Sequence, residues 1–179
     1  MNIKNNRRSR ESKERLTSTL QNMIAKVGHK GLTVKDLCNE AKINRTTFYT
    51  HYDDIEDVLY QICEEYTVKV YTVFANNSIE YKQRVRQALS ILLEKADFFE
   101  YVINTVTALD LRVLEIVEKN VTHPSLEPTA KLSLIYRIAG IIGVLKLYFN
   151  ELRNKNGVKL SLDEIVELIY NIKHPKNLL

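Results

Sequence analysis

The stretch Gly28-His29-Lys30-Gly31-Leu32-Thr33-Val34-Lys35-Asp36-Leu37 is followed three residues later by Ala41-Lys42-Ile43-Asn44-Arg45-Thr46-Thr47-Phe48-Tyr49-Thr50-His51-Tyr52. Thr33 and Asp36 stand three apart, the spacing of a capping box, and predict a short helix over Val34 to Glu40. Ala41, Lys42 and Ile43 make a tight connection. Asn44 is a favoured N-cap residue and predicts a second short helix, Arg45 to His51. Two short helices joined by a few residues form a helix-turn-helix, the second being the recognition helix. On a helical wheel Phe48 and Tyr52 share one face and pack inward with Val34, Leu37 and Ile43. Arg45, Thr46, Tyr49 and Thr50 are left outward.

Helical spacing continues on both sides. Before the motif, Leu16, Leu20, Ile24 and Val27 predict a helix over Arg8 to Val27, with Gly28 as its stop and Gly31 following. After it, Asp54 can cap, and Glu56 and Asp57 suit a helix N-terminus. Val58, Leu59, Ile62, Cys63, Tyr66, Val70 and Phe74 form the stripe of a long fourth helix, broken at Asn76-Asn77-Ser78. Ile79 to Lys95 is a fifth helix, and Asp97 to Thr107 and Ala108 to Asn120 are two shorter ones. His123-Pro124 and Glu127-Pro128 mark a loop. Thr129 to Asn154 is the longest helix. One apolar stripe is Leu132, Ile135, Ala139, Ile142 and Phe149, and a second is Leu134, Ile138, Ile141, Leu145, Tyr148 and Leu152. Both faces of such a helix must be covered. Gly140 and Gly143 on it would admit a close backbone approach. Ser161, three before Glu164, caps a last helix with Leu162, Ile165, Val166, Leu168 and Ile169 on its apolar side. No segment alternates as a strand, and there is no repeat or low-complexity tract. The expected fold is all-α, with about nine helices. A three-helix helix-turn-helix domain (residues 1–53) is joined by a long helix to a helical C-terminal domain (residues 54–179).

Composition bounds the function. The 179 residues carry 26 Lys/Arg and 22 Asp/Glu, for +4. The charge is uneven. Residues 1–52 hold 11 Lys/Arg against 4 Asp/Glu, or +7, and residues 53–179 hold 15 against 18, or −3. That implies an anionic partner for the first part only, against the plainer alternative of a solvated basic surface. A hydrophobic content of 45% supports a core, and 5 Gly and 3 Pro exclude collagen-like and turn-rich all-β architectures. Two cysteines, Cys38 and Cys63, make neither a disulfide framework nor a zinc site. They lie on apolar stripes and are expected to be buried reduced thiols. His29, His51, His123 and His174 have no ligand spacing, so neither a metal nor a cofactor is expected. Met1 to Arg10 has no apolar signal region. The most apolar stretch, Leu132 to Phe149, contains Arg137 and Lys146, and its charge-free run Ile138 to Leu145 is too short to span a bilayer. A cytoplasmic protein without membrane contact is expected. The chain has no Gly-rich phosphate loop, no Gly-x-Ser-x-Gly, no His-Glu-x-x-His and no paired cysteine motif. Nothing asks for catalysis.

The outward residues suit DNA. Arg45 stands at the start of its helix, where it can pair with guanine in a bidentate way. Thr46 and Thr47 can bond to phosphate or a base, or touch a thymine methyl. Tyr49 and His51 can reach phosphates. Asn44 and the amides beside it offer a phosphate cradle.

Residues 12–60 resemble the DNA-binding domain of the TetR family of bacterial transcriptional regulators. The resemblance lies in the Thr-Val-x-Asp-Leu start, the Ala-x-Ile turn and the Thr-Phe-Tyr-x-His-Tyr recognition helix taken together. The remainder is similar in length and helical layout, and its Ile-Ala-Gly-Ile-Ile-Gly run is similar to Firmicutes-type members. The resemblance implies a phosphate contact at Thr33 and a DNA contact at Lys35. It also implies groove-facing roles for Arg45, Thr46, Thr47 and Tyr49, and a phosphate contact at His51. A two-fold homodimer built on the last two helices is implied as well, with Leu134, Ile138, Ile141, Ile142, Leu145, Ile165 and Ile169 at its interface. A dimer makes physical sense of so short a reader, since two can read half-sites of a palindromic operator about 34 Å apart. The helical C-terminal part would then enclose the cavity of an unknown small-molecule effector, with Tyr66, Phe98, Tyr101, Thr105, Arg112, Tyr136 and Arg137 as candidate lining. The function so implied is a ligand-responsive regulator, most simply a repressor.

Two positions depart from the family pattern. Lys42 stands where the turn usually has Gly, which puts a side chain in left-handed backbone at about 1 kcal/mol. Ile55, between Asp54 and Glu56, stands where a phosphate-contacting Lys is usual. Extra weight would then fall on Lys4, Arg7, Arg8 and Arg10, as an arm along phosphates or in a minor groove. These departures keep alive a rival reading, a TetR-like protein-interaction partner that does not itself bind DNA.

Overall fold

The computed structural model describes residues 3–28, 31–105, 127–153 and 160–173. They form eight helices and no strand: α1 (Ile3–Val27), α2 (Val34–Ala41), α3 (Arg45–Tyr49), α4 (Ile55–Ala75), α5 (Tyr81–Leu93), α6 (Ala96–Thr105), α7 (Pro128–Arg153) and α8 (Leu162–Lys173). The all-α expectation holds. The helix expected over Ala108 to Asn120 lies outside the described residues.

The chain divides into two compact units, Met1–Glu65 and Tyr66–Leu179. The division drawn from the sequence, at 53/54, falls just before α4 begins. That helix contributes its first part to one unit and the rest to the other.

The first unit is built on one apolar cluster. Leu16, Leu20 and Ile24 of α1, Leu37, Cys38 and Ala41 of α2 and Phe48 of α3 are buried. So are Tyr52 and, on α4, Ile55, Val58, Leu59, Ile62 and Cys63. Each side chain the size of Leu or Phe taken out of water contributes roughly 1.5–3 kcal/mol, so the reader rests on this cluster and not on the propensity of a five-residue α3. α1 starts well before the predicted Arg8. The run from Asn5 to Ser12 has no apolar period to read, but Arg7 pairs with Glu11 at 2.7 Å and Arg10 with Glu14 at 3.5 Å across single turns. Such pairs favour helix. The basic arm is therefore helical.

In the second unit Tyr66, Val85, Ala88, Leu89, Phe98, Phe99 and Val102 are buried, as are Leu145, Tyr148 and Phe149 of α7 and Ile165, Val166 and Ile169 of α8. Tyr66 meets Phe99 edge-on at 4.7 Å between ring centroids, and Phe99 meets Phe98 at 5.0 Å. α5 and α8 are joined by Lys82–Glu167 at 2.5 Å and by Arg86–Asp163. Asn104 of α6 donates to Asn150 of α7 at 2.9 Å. No helix of the described residues is long and apolar enough to cross a membrane.

Candidate nucleic-acid interface

Each helix of the motif begins as the residues dictate. The Thr33 hydroxyl oxygen accepts the Asp36 N–H at 3.2 Å, and Asp36 Oδ2 accepts the Thr33 N–H at 3.1 Å, which closes the capping box. Asn44 Oδ1 accepts the Thr46 N–H at 3.0 Å and starts α3. Asp54 Oδ1 accepts the Asp57 N–H, and Asp57 Oδ2 accepts the Asp53 N–H, both at 2.9 Å, at the start of α4. Between α2 and α3 the Lys42 N–H donates to the Asn39 carbonyl at 3.2 Å and the Ile43 N–H to the Cys38 carbonyl at 2.9 Å. Lys42 itself sits at φ 53, in the left-handed region that the family's usual Gly at this position implies. Gly28 (φ 74) and Gly31 (φ 86) supply the other two reversals.

Phe48 is wholly buried and anchors α3 from beneath. Tyr49 meets its ring edge-on at 5.3 Å, and the Tyr52 ring lies at 5.8 Å. With that face fixed, Asn44, Arg45, Thr46, Tyr49 and Thr50 are exposed, Tyr49 by 57%, and Thr47 and His51 are half-buried. Thr33 and Lys35 on the preceding segment are exposed too. No carboxylate pairs with Arg45 among the described residues.

Three of these groups are partly committed inside the chain. The Thr33 hydroxyl donates to Asp36 Oδ2 at 2.6 Å, and the Thr50 hydroxyl donates to the Thr47 carbonyl at 2.6 Å. The cradle expected at Asn44 is also reduced, because its side-chain oxygen and the Thr46 N–H satisfy each other. Arg45, Thr46 and Tyr49, with Lys35 beside them, are left as the outward donors best placed for an anionic partner.

Electrostatics modulate the patch. Partial burial, and then the Lys13 ammonium on α1, hold the His51 imidazole below its ordinary pKa. Ile55, where a cation was expected by family pattern, is buried in the core. Exposed Asp53, Asp54 and Glu56 flank it, and Asp54 is engaged as a cap of α4. Burial pushes the Cys38 thiol up and the Cys63 thiol up to about 12. Both cysteines are buried and neither is in a disulfide. Among the described residues no group of three or more His, Cys, Asp and Glu is placed to hold a metal.

One residue of this region escaped the sequence reading. Arg15 of α1 donates from Nη2 to the Ala41 carbonyl at 2.7 Å, across 26 positions of chain. No periodicity or motif marks such a contact.

The second unit redistributes the expected residues. Of the candidate cavity lining, Tyr66 and Phe98 are buried and Tyr101 is half-buried. Tyr136 is 76% exposed, so no cavity of the described residues encloses it, against that expectation. Arg112 and the side chains of Thr105 and Arg137 lie outside the described residues. The interface expectation also needs correcting. Leu145, Ile165 and Ile169 are buried in the unit's own core, and Ile141 and Ile142 are half-buried. The side chains of Leu134 and Ile138 lie outside the described residues. The apolar surface of α7 is instead Leu132 (66% exposed), Tyr136 and Leu147 (66%), with exposed Ala139 and Gly143 between them. A Cβ built at Gly143 meets nothing within 4 Å. A helical wheel shows two apolar faces but not which of them the rest of the chain covers.

No protein-family model and no curated protein matches the chain. Solved structures do. A TetR transcriptional regulator from Streptococcus agalactiae superposes with a TM-score of 0.66 at 16% identity, covering 98% of this chain and 99% of that one. A protein of Syntrophomonas wolfei assigned to the TetR family gives 0.65 at 13% identity, over 92% and 94% of the two chains. The fatty acid degradation regulator FadR of Bacillus halodurans gives 0.61 at 14% identity, over 90% and 94%. With a capped helix-turn-helix presenting a basic and hydroxylic face, and full-length likeness to these regulators, the chain has the fold of TetR-type transcriptional regulators.

Proposed function

We propose that the chain is a sequence-specific DNA-binding transcriptional regulator. The observation that carries this reading is the recognition helix itself. Buried Phe48 leaves Arg45, Thr46 and Tyr49 exposed together on α3. Arg45, at the helix start, addresses a base edge in the major groove. Lys35, Tyr49 and His51 address phosphates, and the helical basic segment Arg7 to Arg10 adds sequence-independent attraction.

The reader is short, so the active species is a homodimer on a palindromic operator. The exposed stripe Leu132, Tyr136, Gly143 and Leu147 of α7, with half-exposed Leu168 of α8, supports a self-complementary interface. A small-molecule effector bound among the helices of the second unit, with Tyr66, Phe98 and Tyr101 as candidate contacts, would bias α4, which belongs to both units. Repression relieved by that effector is then a population shift driven by differential affinity.

The test is selection of bound molecules from randomised duplex DNA at moderate salt, followed by sequencing. A palindromic motif is the expected result. A folded, dimeric protein that enriches nothing overturns the reading in favour of a protein-interaction partner, which the acids at Asp53, Asp54 and Glu56 would suit.

A further inference from the structure

We propose that Arg15 is a positioning residue for the recognition helix, setting the α2–α3 turn from α1 without touching a base; this rests on the DNA-reading function above. Ala41 is the last residue of α2, and its carbonyl is one of those a helix end leaves without an intrahelical donor. Arg15 Nη2 fills that place at 2.7 Å. α2 has no basic residue in its own last turn, and beside its C-cap Lys42 the Arg15 guanidinium brings a second cation, from another helix, onto a carbonyl at the negative end of its dipole.

The next residue along the chain is the strained one. Lys42, at φ 53, is the non-glycine residue with positive φ among those described. The bonds from the Lys42 and Ile43 amides to Asn39 and Cys38 hold the turn to α2 alone. The Arg15 bond ties it to α1, whose Leu16, Leu20 and Ile24 are locked in the core. Arg45 begins α3 three residues after Lys42. A small rotation of the turn is therefore carried straight to the group that addresses the bases. A charge-assisted bond that braces a strained turn next to a reading helix makes Arg15 a determinant of specificity.

The full-length protein and its selected operator test this. Arg15→Ala is expected to weaken operator binding about tenfold, the scale of one charge-assisted hydrogen bond. Affinity for random duplex of equal length should stay within about twofold, with the salt slope unchanged. Adding Lys42→Gly relieves the turn and should restore most of the operator affinity in the Arg15→Ala background, while changing the otherwise native protein little. Arg15→Lys, which keeps the charge but not the reach of the fork, should fall between, and it decides the matter if Arg15→Ala does not fold. Parallel losses on operator and random DNA, with a shallower salt slope, would make Arg15 a phosphate contact and overturn the proposal. Unchanged operator affinity overturns it as well. A readout without DNA separates this from failure of the DNA-binding reading. In amide spectra of the free protein, Arg15→Ala should shift Ala41 to Arg45 and speed hydrogen exchange at Ile43. Unmoved amides refute the brace whether or not an operator exists.

Discussion

The carboxylate of Asp36 accepts both the backbone N–H and the hydroxyl of Thr33, at 3.1 and 2.6 Å. Ser161 and Glu164 repeat the arrangement at the start of α8, with Glu164 Oε2 accepting the Ser161 N–H at 2.7 Å and its hydroxyl at 2.8 Å. These bonds, the hydroxyl first for Asp36 and the backbone first for Glu164, hold both carboxyls below their ordinary values of 3.8 and 4.5. Groups lowered on folding contribute stability that is present above the ordinary values and lost as pH falls through the folded ones. The chain should therefore weaken below about pH 4.5. Asp36→Asn with Glu164→Gln should flatten that limb in urea titrations at several pH values. Thr33→Ala should cost about 1 kcal/mol at neutral pH.

If the proposed function holds, Arg45 is the residue that affinity measurements should single out. Arg45→Ala is expected to cost about 1–3 kcal/mol on the operator and to relax base preference at one position of each half-site. Competition binding against single-base operator variants measures both. An equal loss on every sequence would assign Arg45 to the phosphates.

In the proposed complex with DNA, His51 should make binding sensitive to protons. Burial and Lys13 keep the free imidazole below its ordinary pKa, so at neutral pH it is mainly uncharged. A neighbouring phosphate favours the imidazolium, so binding takes up a proton and tightens as pH falls. Between about pH 7.5 and 5.5 a gain of roughly three- to tenfold is expected, and His51→Gln should remove it. An equal pH response in the variant would locate the proton elsewhere.

The Tyr52 ring packs in the core, 6% exposed, and its hydroxyl has no hydrogen-bond partner among the described residues. Burial first, and Glu65 second, push its pKa up to about 12. Removing an unsatisfied buried hydroxyl stabilises. Tyr52→Phe should raise unfolding free energy by about 1 kcal/mol with operator binding intact. Chemical denaturation checks it, and a destabilised variant would mean that the hydroxyl has a partner after all.

The outward stripe of α7 and the inward faces of α7 and α8 should respond oppositely to charge. Leu147→Arg or Tyr136→Arg should raise the dimer dissociation constant by roughly a hundredfold and leave a folded monomer. Ile165→Arg should instead unfold the second unit. Sedimentation with circular dichroism distinguishes the two. Dimers that persist in Leu147→Arg would place the interface elsewhere.

Local chemistry explains why so much of this chain is legible in one dimension. Thr33, Asn44, Asp54 and Ser161 cap helices because their side chains answer backbone donors two or three residues away. The all-α fold and the set Arg45, Thr46 and Tyr49 follow from spacing alone. Local chemistry does not reach across the chain. Nothing near Arg15 announces Ala41, and Ile55 shows its core role only once α4 is packed. On α7 the sequence offers apolar residues all round. Burial of Leu145, Tyr148 and Phe149 against α6 and α8, and not any preference of the helix itself, leaves Leu132, Tyr136 and Leu147 to the solvent. Turns and caps are set by neighbours within a few residues, whereas the covered face of a helix is set by partners that only the folded chain brings near.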